Sequence, residues 1–307
     1  PAEAADALSQ ELLVQMQNSG VDHTSFYRRL AEAALTKLSP HAPGAGPAWT
    51  AGAPLPGGDF AVTAVSDGVL YSTPDVILGI DKAESERLTG VKYGERLPLD
   101  VNCFLIRHGD RLMLSDAGSG LDMQPTLGTL PQNLRSIGVA PEKIDTILLT
   151  HFHPDHSLGL VDREGRAVFP NAEIIAHEVE VAFWLDREQR PDDSERLRRN
   201  TEQQRRVTAP YRDRIRRIKD GEVLPGITAT LRPGHTPGHT SYLIQSKGER
   251  LLIWGDIVHL ASVQLPRPDA TLVFDINPDM ARATRQAVLE WVTAERIRDK
   301  VAASRKK

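Results

Sequence analysis

The sequence predicts a mixed α/β layered domain preceded by a helical extension, and three observations predict it. From Asp59 onward, short β-branched or aliphatic runs alternate with turns rich in Gly and Asp. Helical stretches are interleaved with them near 125–137, 178–187, 192–218 and 279–303, and strands followed by helices, twice over, imply layers of both kinds. Ligand-type residues follow two of the apolar runs, at the carboxyl end where α/β proteins place their sites.

The 307 residues are ample for a sizeable core in one large or two small domains. A hydrophobic fraction of 40% and a charged fraction of 25% belong to an ordinary soluble chain, and no segment approaches the roughly 18–20 apolar residues of a membrane span. A net charge of -4 gives no reason to expect nucleic acid or an anionic membrane as partner. The single cysteine, Cys103, excludes an internal disulfide framework and reads as a buried structural thiol in the strand-like run "DVNCFLIR". The opening "PAEAADALSQ" lacks an initiator methionine and reads as a processed form. The expectation is a soluble protein, cytoplasmic or, after signal removal, periplasmic.

Element by element, Leu8, Leu12, Leu13 and Met16 stand at helical spacing, as do Phe26, Leu30, Ala34 and Leu38. Residues 1–38 are therefore expected to be a helical N-terminal extension that serves as a docking or homodimer element. "SPHAPGAGPAWTAGAPLPGG" (39–58) is dense in Pro and Gly and reads as a linker, leaving 59–307 as the main domain. There "FAVTAVSDG", "IDTILLT", "AEIIAH" and "ITATLRPG" read as strands, and the runs joined by "HGD" and "SKGE" as hairpins. Residues 187–220 are crowded with arginine, including Arg198, Arg199, Arg205, Arg206, Arg216 and Arg217. Interspersed Glu and Asp make this a solvated helical face rather than a nucleic-acid patch.

The chemistry concentrates in "ILLTHFHPDHSLGL" (147–160), where three of the ten histidines and an aspartate fall within six positions. His151 and His153, two apart on an extended turn, can point the same way; after Pro154 bends the chain, Asp155 and His156 face a neighbouring point. Imidazole and carboxylate in that density suit a transition metal. "RPGHTPGHTSY" (232–242) adds His235 and His239 in a Gly/Pro loop, and "LLIWGDIVH" carries Asp256 just past an apolar strand, where a carboxylate can bridge two metals. Zinc, manganese or iron would fit such a set.

"THFHPDH", "GHTPGHT" and "GD" in this order resemble the metallo-β-lactamase superfamily, from about Gly58 to about Ile297. "PTLGTLPQNLRSIGVAPEKID" and "FPNAEIIAHEVEVAFW" look most like the branch containing methyl parathion hydrolase, which includes organophosphate hydrolases and enzymes acting on lactones and aryl esters. The resemblance implies a four-layer αββα fold and a metal-dependent hydrolase of a small-molecule ester, lactone or phosphotriester. It assigns His151, His153 and His235 to one metal and Asp155 and His156 to a second, with Asp256 as bridge. Zinc is the expected metal, two per chain where the second site is complete, with Asp155 as the group that takes a proton. Asp116 in "LSDAGSG" matches an acidic residue that orients a ligand histidine, and His239 a packing position behind the ligands. Trp184 in "VAFWLD" matches an aromatic lining of the substrate pocket. "GSGLDMQPTLG" places Asp122 and Met123 where relatives carry an aromatic, giving the pocket a more polar wall.

One element of the family pattern is missing. A further histidine is expected after the last long helix, but none follows His259, so the C-terminal end reads as shortened. Three readings stay open: an incomplete second site, His259 as the substitute ligand, or one metal on His151, His153 and His235. Two other function classes also stay open: a mononuclear iron oxygenase resembling persulfide dioxygenases, and a metal- or partner-binding protein without catalysis.

Overall fold

The computed structural model describes residues 55–57, 59–294 and 298–299. The expected extension at 1–38 and most of the linker lie outside the described residues. The end of that linker is not irregular: Leu55–Gly57 forms strand β1, paired antiparallel with β2 (Phe60–Ser72).

The chain continues through β3 (Ile77–Leu78), α1 (Lys82–Thr89), the hairpin β4 (Leu97–His108) and β5 (Arg111–Ser115), and α2 (Leu130–Ser136). Asp81 starts α1 by accepting the Glu84 N–H at 2.8 Å, and Gly90 ends it in the left-handed region. Then come β6 (Thr146–Leu148), the single turn α3 (Pro154–Ser157), β7 (Glu173–His177), α4 (Glu178–Val181) with a π-helical turn over 182–186, and α5 (Glu195–Thr208). The strands β8 (Ile215–Ile218), β9 (Gly221–Leu224), β10 (Ile227–Leu231), β11 (Thr240–Ser246) and β12 (Glu249–Ile253) come next. The last elements are α6 (Ala261–Gln264), β13 (Thr271–Leu272), α7 (Pro278–Ala294) and β14 (Arg298–Asp299).

Seven strands form one sheet in the order β1-β2-β4-β5-β6-β7-β8, and five form a second in the order β14-β12-β11-β10-β9. Period-2 alternation along the strands explains how the layers stack. From the first sheet, Phe104, Ile106, Met113, Leu148 and Ile175 meet Ile227, Tyr242, Ile244 and Ile253 of the second. Their neighbours Cys103, Leu105, Leu114, Ile147 and Ile174 face the other way, against Leu130 and Leu134 of α2 and Val207 of α5. On the far side of the second sheet, Leu252 packs with Val288, Leu289 and Val292 of α7. Helix, sheet, sheet, helix is the four-layer αββα order.

The helix expected over 192–218 is shorter in the structure. Pro210 lacks the N–H that a continuing helix requires, residues 209–214 tighten into a 3-10 turn, and "IRRI" joins β7 as the parallel strand β8. Tertiary pairing overrides a local pattern there. No helix among the described residues is long and apolar enough to cross a membrane.

Candidate metal centre

Strand β6, buried between β5 and β7, delivers the chain to the cluster. Two carboxylates hold the turn beyond it. Asp116, at the end of β5, adopts the left-handed region (φ 61°), which Asp tolerates better than most residues. It accepts the Thr150 N–H at 2.8 Å and the Thr150 hydroxyl at 3.0 Å. Glu180 accepts the Phe152 N–H at 2.8 Å, fixing Phe152 toward the core. His151 and His153 on either side therefore turn to the opposite side. Pro154 then opens α3, which carries Asp155 and His156.

The local bonds also set which ring nitrogens are available. The Thr150 hydroxyl already donates to Asp116, so at 3.0 Å it accepts from His151 Nδ1, leaving Nε2 as a lone pair. His156 Nδ1 donates to Asp116 Oδ2 at 3.0 Å, again freeing Nε2.

His235 comes from the loop after β10, and its Nε2 lies 2.8 Å from His153 Nδ1 and 3.1 Å from His151 Nε2. Three buried imidazole nitrogens thus converge on one point, an arrangement that suits a shared cation. Asp256 follows β12 through Gly255, whose φ of 57° and contact with His239 leave no room for a side chain: a Cβ would sit 2.6 Å from His239 Nε2. The carboxylate faces both sets. Asp256 Oδ1 lies 3.3 Å from His156 Nε2, while Oδ2 lies 3.3 Å from His235 Nε2 and 3.7 Å from His151 Nε2. Asp155 Oδ2 is 3.4 Å from His156 Nε2. Ligand atoms of His151, His153 and His235 lie within 4.8 Å of one another, as do those of His151, His156 and Asp256.

The electrostatics match a site built for cations. Burial holds His151 and His153 well below the ordinary histidine value, which favours the neutral form that can offer a lone pair. Burial opposes charge on Asp256, yet His156, His259 and His235 keep its carboxyl well below the usual range. Burial opposes charge on His156 too, but Asp256, Asp155 and Asp116 raise it well above the ordinary value. Donor types, spacing and charge all fit divalent metal.

The remaining expected residues fall in different places. His239 is fully buried and its Nε2 accepts the Asp256 N–H at 3.0 Å, which places it behind Asp256. His259 Nε2 is 3.1 Å from Asp256 Oδ2, the oxygen turned to His151 and His235. It therefore lies on the first set's side of Asp256 and not beside His156. Met123 lines a cavity of about 250 Å³ over the cluster, together with Leu99, Val101, Phe274, Arg196 and Arg199. Trp184 does not line that cavity. It is buried edge-on to His153, ring centroids 5.7 Å apart, and its indole N–H donates to Glu180 at 2.7 Å. A tryptophan on the inward side of the 178–186 helical segment packs in the core. Asp122 is exposed and lines a separate small cleft with Arg163 and Arg206, because the loop turns outward at Leu121. Arg199, read as part of a solvated face, turns toward the cavity. Asp275, whose Oδ1 is 2.8 Å from His235 Nδ1, carries no motif that would mark it in the sequence.

Comparison with known proteins agrees with this geometry. The profile of the metallo-beta-lactamase superfamily matches residues 96–295. The crystal structure of the hydrolase AbOPH, of the beta lactamase superfamily, aligns with TM-score 0.75 at 32% identity, over 82% of this chain and 89% of that one. AidC, a dizinc quorum-quenching lactonase solved with a product, shares the fold with TM-score 0.73 at 24% identity, over 82% and 90% of the two chains. An N-acyl homoserine lactonase of Bacillus thuringiensis is 28% identical over 114 residues, 37% of this chain and 38% of that protein. The uncharacterized protein YobT of Bacillus subtilis (strain 168) is 28% identical over 162 residues, 52% and 63% of the two. These matches span from about two fifths to about three fifths of the curated relatives' length. With its profile match over more than half its length and its donor sets meeting at one carboxylate, the chain belongs to the metallo-beta-lactamase superfamily, whose fold it adopts.

Proposed function

We propose that the chain hydrolyses lactones and related esters, with zinc as its metal and two ions per chain. The observation that carries this reading is the meeting of two donor sets across Asp256: His151 and His235, with His153 beside His235, face one oxygen, and His156, with Asp155 beside it, faces the other. These residues would hold divalent metal, which would supply a hydroxide at neutral pH and polarise a substrate oxygen. Asp155, which lines the cavity, would take the proton released as the nucleophile adds. Leu70, Leu99, Val101, Met123 and Phe274 give the cavity apolar walls for an acyl or aryl group. The lactonases among the relatives support the choice of substrate class.

The test is turnover of an acyl homoserine lactone, an aryl acetate and an aryl phosphotriester by protein purified without chelator. Lactone and ester hydrolysis should exceed phosphotriester hydrolysis, cease with chelator, return with zinc, and be lost in His151→Ala. Full activity of that variant in chelator would overturn the proposal.

A further inference from the structure

The loop that carries His235 is clamped by the segment running from β13 into α7. The Ile276 N–H donates to the His235 carbonyl at 3.0 Å, the Asn277 N–H to that of Gly234 at 2.9 Å, and the Thr284 hydroxyl to that of Pro233 at 2.6 Å. The two backbones touch, since a Cβ on Gly234 would lie 2.2 Å from the Ala281 nitrogen.

A line of buried polar groups runs through this clamp. Asp275 Oδ1 meets His235 Nδ1 at 2.8 Å, and Asp275 Oδ2 accepts the Leu272 N–H at 3.1 Å. Arg285 Nη2 stands 4.0 Å from Asp275 Oδ2, with the Arg285 side chain 1% and that of Asp275 0% exposed. Arg285 also donates through Nε to the Ile257 carbonyl at 3.1 Å and through Nη1 to the Ala270 carbonyl at 3.0 Å. A fully buried guanidinium and carboxylate are costly to desolvate, so the arrangement calls for a role beyond filling space. A carboxylate on Nδ1 sets the ring's tautomer and its angle, and leaves Nε2 as the lone pair. Here Nε2 is the atom that faces His151 and His153.

We infer that Asp275, paired electrostatically with Arg285 of α7, is a positioning residue that keeps the proton of His235 on Nδ1 and aims its Nε2 at the metal of the first donor set. Docking of α7 and retention of that metal are then linked. The inference rests on the proposal above that His235 is a metal ligand.

The experiment measures zinc affinity of the full chain by competition with a chromophoric chelator, together with the visible spectrum of the cobalt-loaded protein. Asp275→Asn should bind the first equivalent of zinc about 10–100-fold more weakly and shift the cobalt band. Arg285→Lys, which keeps a cation, should fall between it and the unaltered protein. Folded Asp275→Asn with affinity within about twofold and an unchanged cobalt spectrum would overturn the inference, because a merely structural ion pair moves neither readout. Should that variant fail to fold, long-range ¹H–¹⁵N NMR of the unaltered zinc-loaded protein decides. A protonated His235 Nδ1 supports the inference and a protonated Nε2 overturns it. His235→Ala separates the two claims: retention of the first zinc at full affinity defeats the ligand reading itself, whereas its loss alongside an unaffected Asp275→Asn defeats only the positioning role.

Discussion

Glu180 carries four donors on one buried carboxylate: the Phe152 N–H, the Trp184 indole, the Thr236 hydroxyl and the Gly238 N–H. Burial pushes its carboxyl up even so, and the four bonds work against that rise. Through them one side chain ties the His151–His153 turn to the 235–239 loop. Its replacement strands all four donors, so Glu180→Ala is expected to cost roughly 3–5 kcal/mol in chemical denaturation. Glu180→Gln, which keeps an acceptor but turns an amide on the other donors, should cost less than the alanine change. An equal cost for both would mean that packing matters there and the bonds do not. The contrast between Glu180 and the histidines explains what was legible in the sequence. His151, His153, Asp155 and His156 announce themselves because one turn holds all four. Glu180 and Asp275 are single acids in ordinary surroundings, and only folding brings them to partners 28 and 40 positions away.

At the scale of elements, the site depends on two loops lying one on the other. The Ala117 N–H donates to the His156 carbonyl at 2.8 Å and the Gly159 N–H to the Gly118 carbonyl at 3.0 Å. A Cβ on Gly159 would lie 2.0 Å from the Ala117 carbonyl oxygen. Gly159→Ala must push these loops apart, and a thermal melt should show a loss of about 1–3 kcal/mol. The 158–160 turn is also held from behind by Tyr211, whose hydroxyl donates to the Leu160 carbonyl at 2.7 Å and accepts the Phe169 N–H at 3.1 Å. Burial pushes that phenol up from 10.0 to about 12. A folded value above the unfolded one means the contribution is complete below the unfolded value and is lost as pH rises through about 12. Tyr211→Phe should therefore lower stability by about 1 kcal/mol at neutral pH and show a shallower decline above pH 10 than the unaltered protein. Parallel slopes would show that this phenol does not govern the alkaline limb. Hairpins with Gly-Asp and Lys-Gly turns were readable because local chemistry dictates them. The strand over 215–218 was not, because its arginines obey the edge of a sheet.

Across the whole molecule, the donor sets gather residues from separate layers. His151, His153 and His156 ride on the first sheet, His235 and Asp256 on loops of the second, and Asp275 on the approach to α7. The unfolded chain keeps the 151–156 run but brings neither His235 nor Asp256 to it, so metal favours the native state and stabilises it by mass action. At a thousandfold excess over Kd that amounts to about 4 kcal/mol, or roughly 8–16 °C in the midpoint for a domain of this size. That gain already includes the relief of three imidazoles crowded at 2.8 and 3.1 Å, so removal subtracts it and no more. The expected outcome is a chelator-induced fall in Tm of that order, reversed by added zinc and absent in His151→Ala. The fall should be smaller in Asp155→Ala, which leaves the three-imidazole set whole. A chelator response as large in His151→Ala as in the unaltered protein would place the stabilising metal elsewhere in the chain.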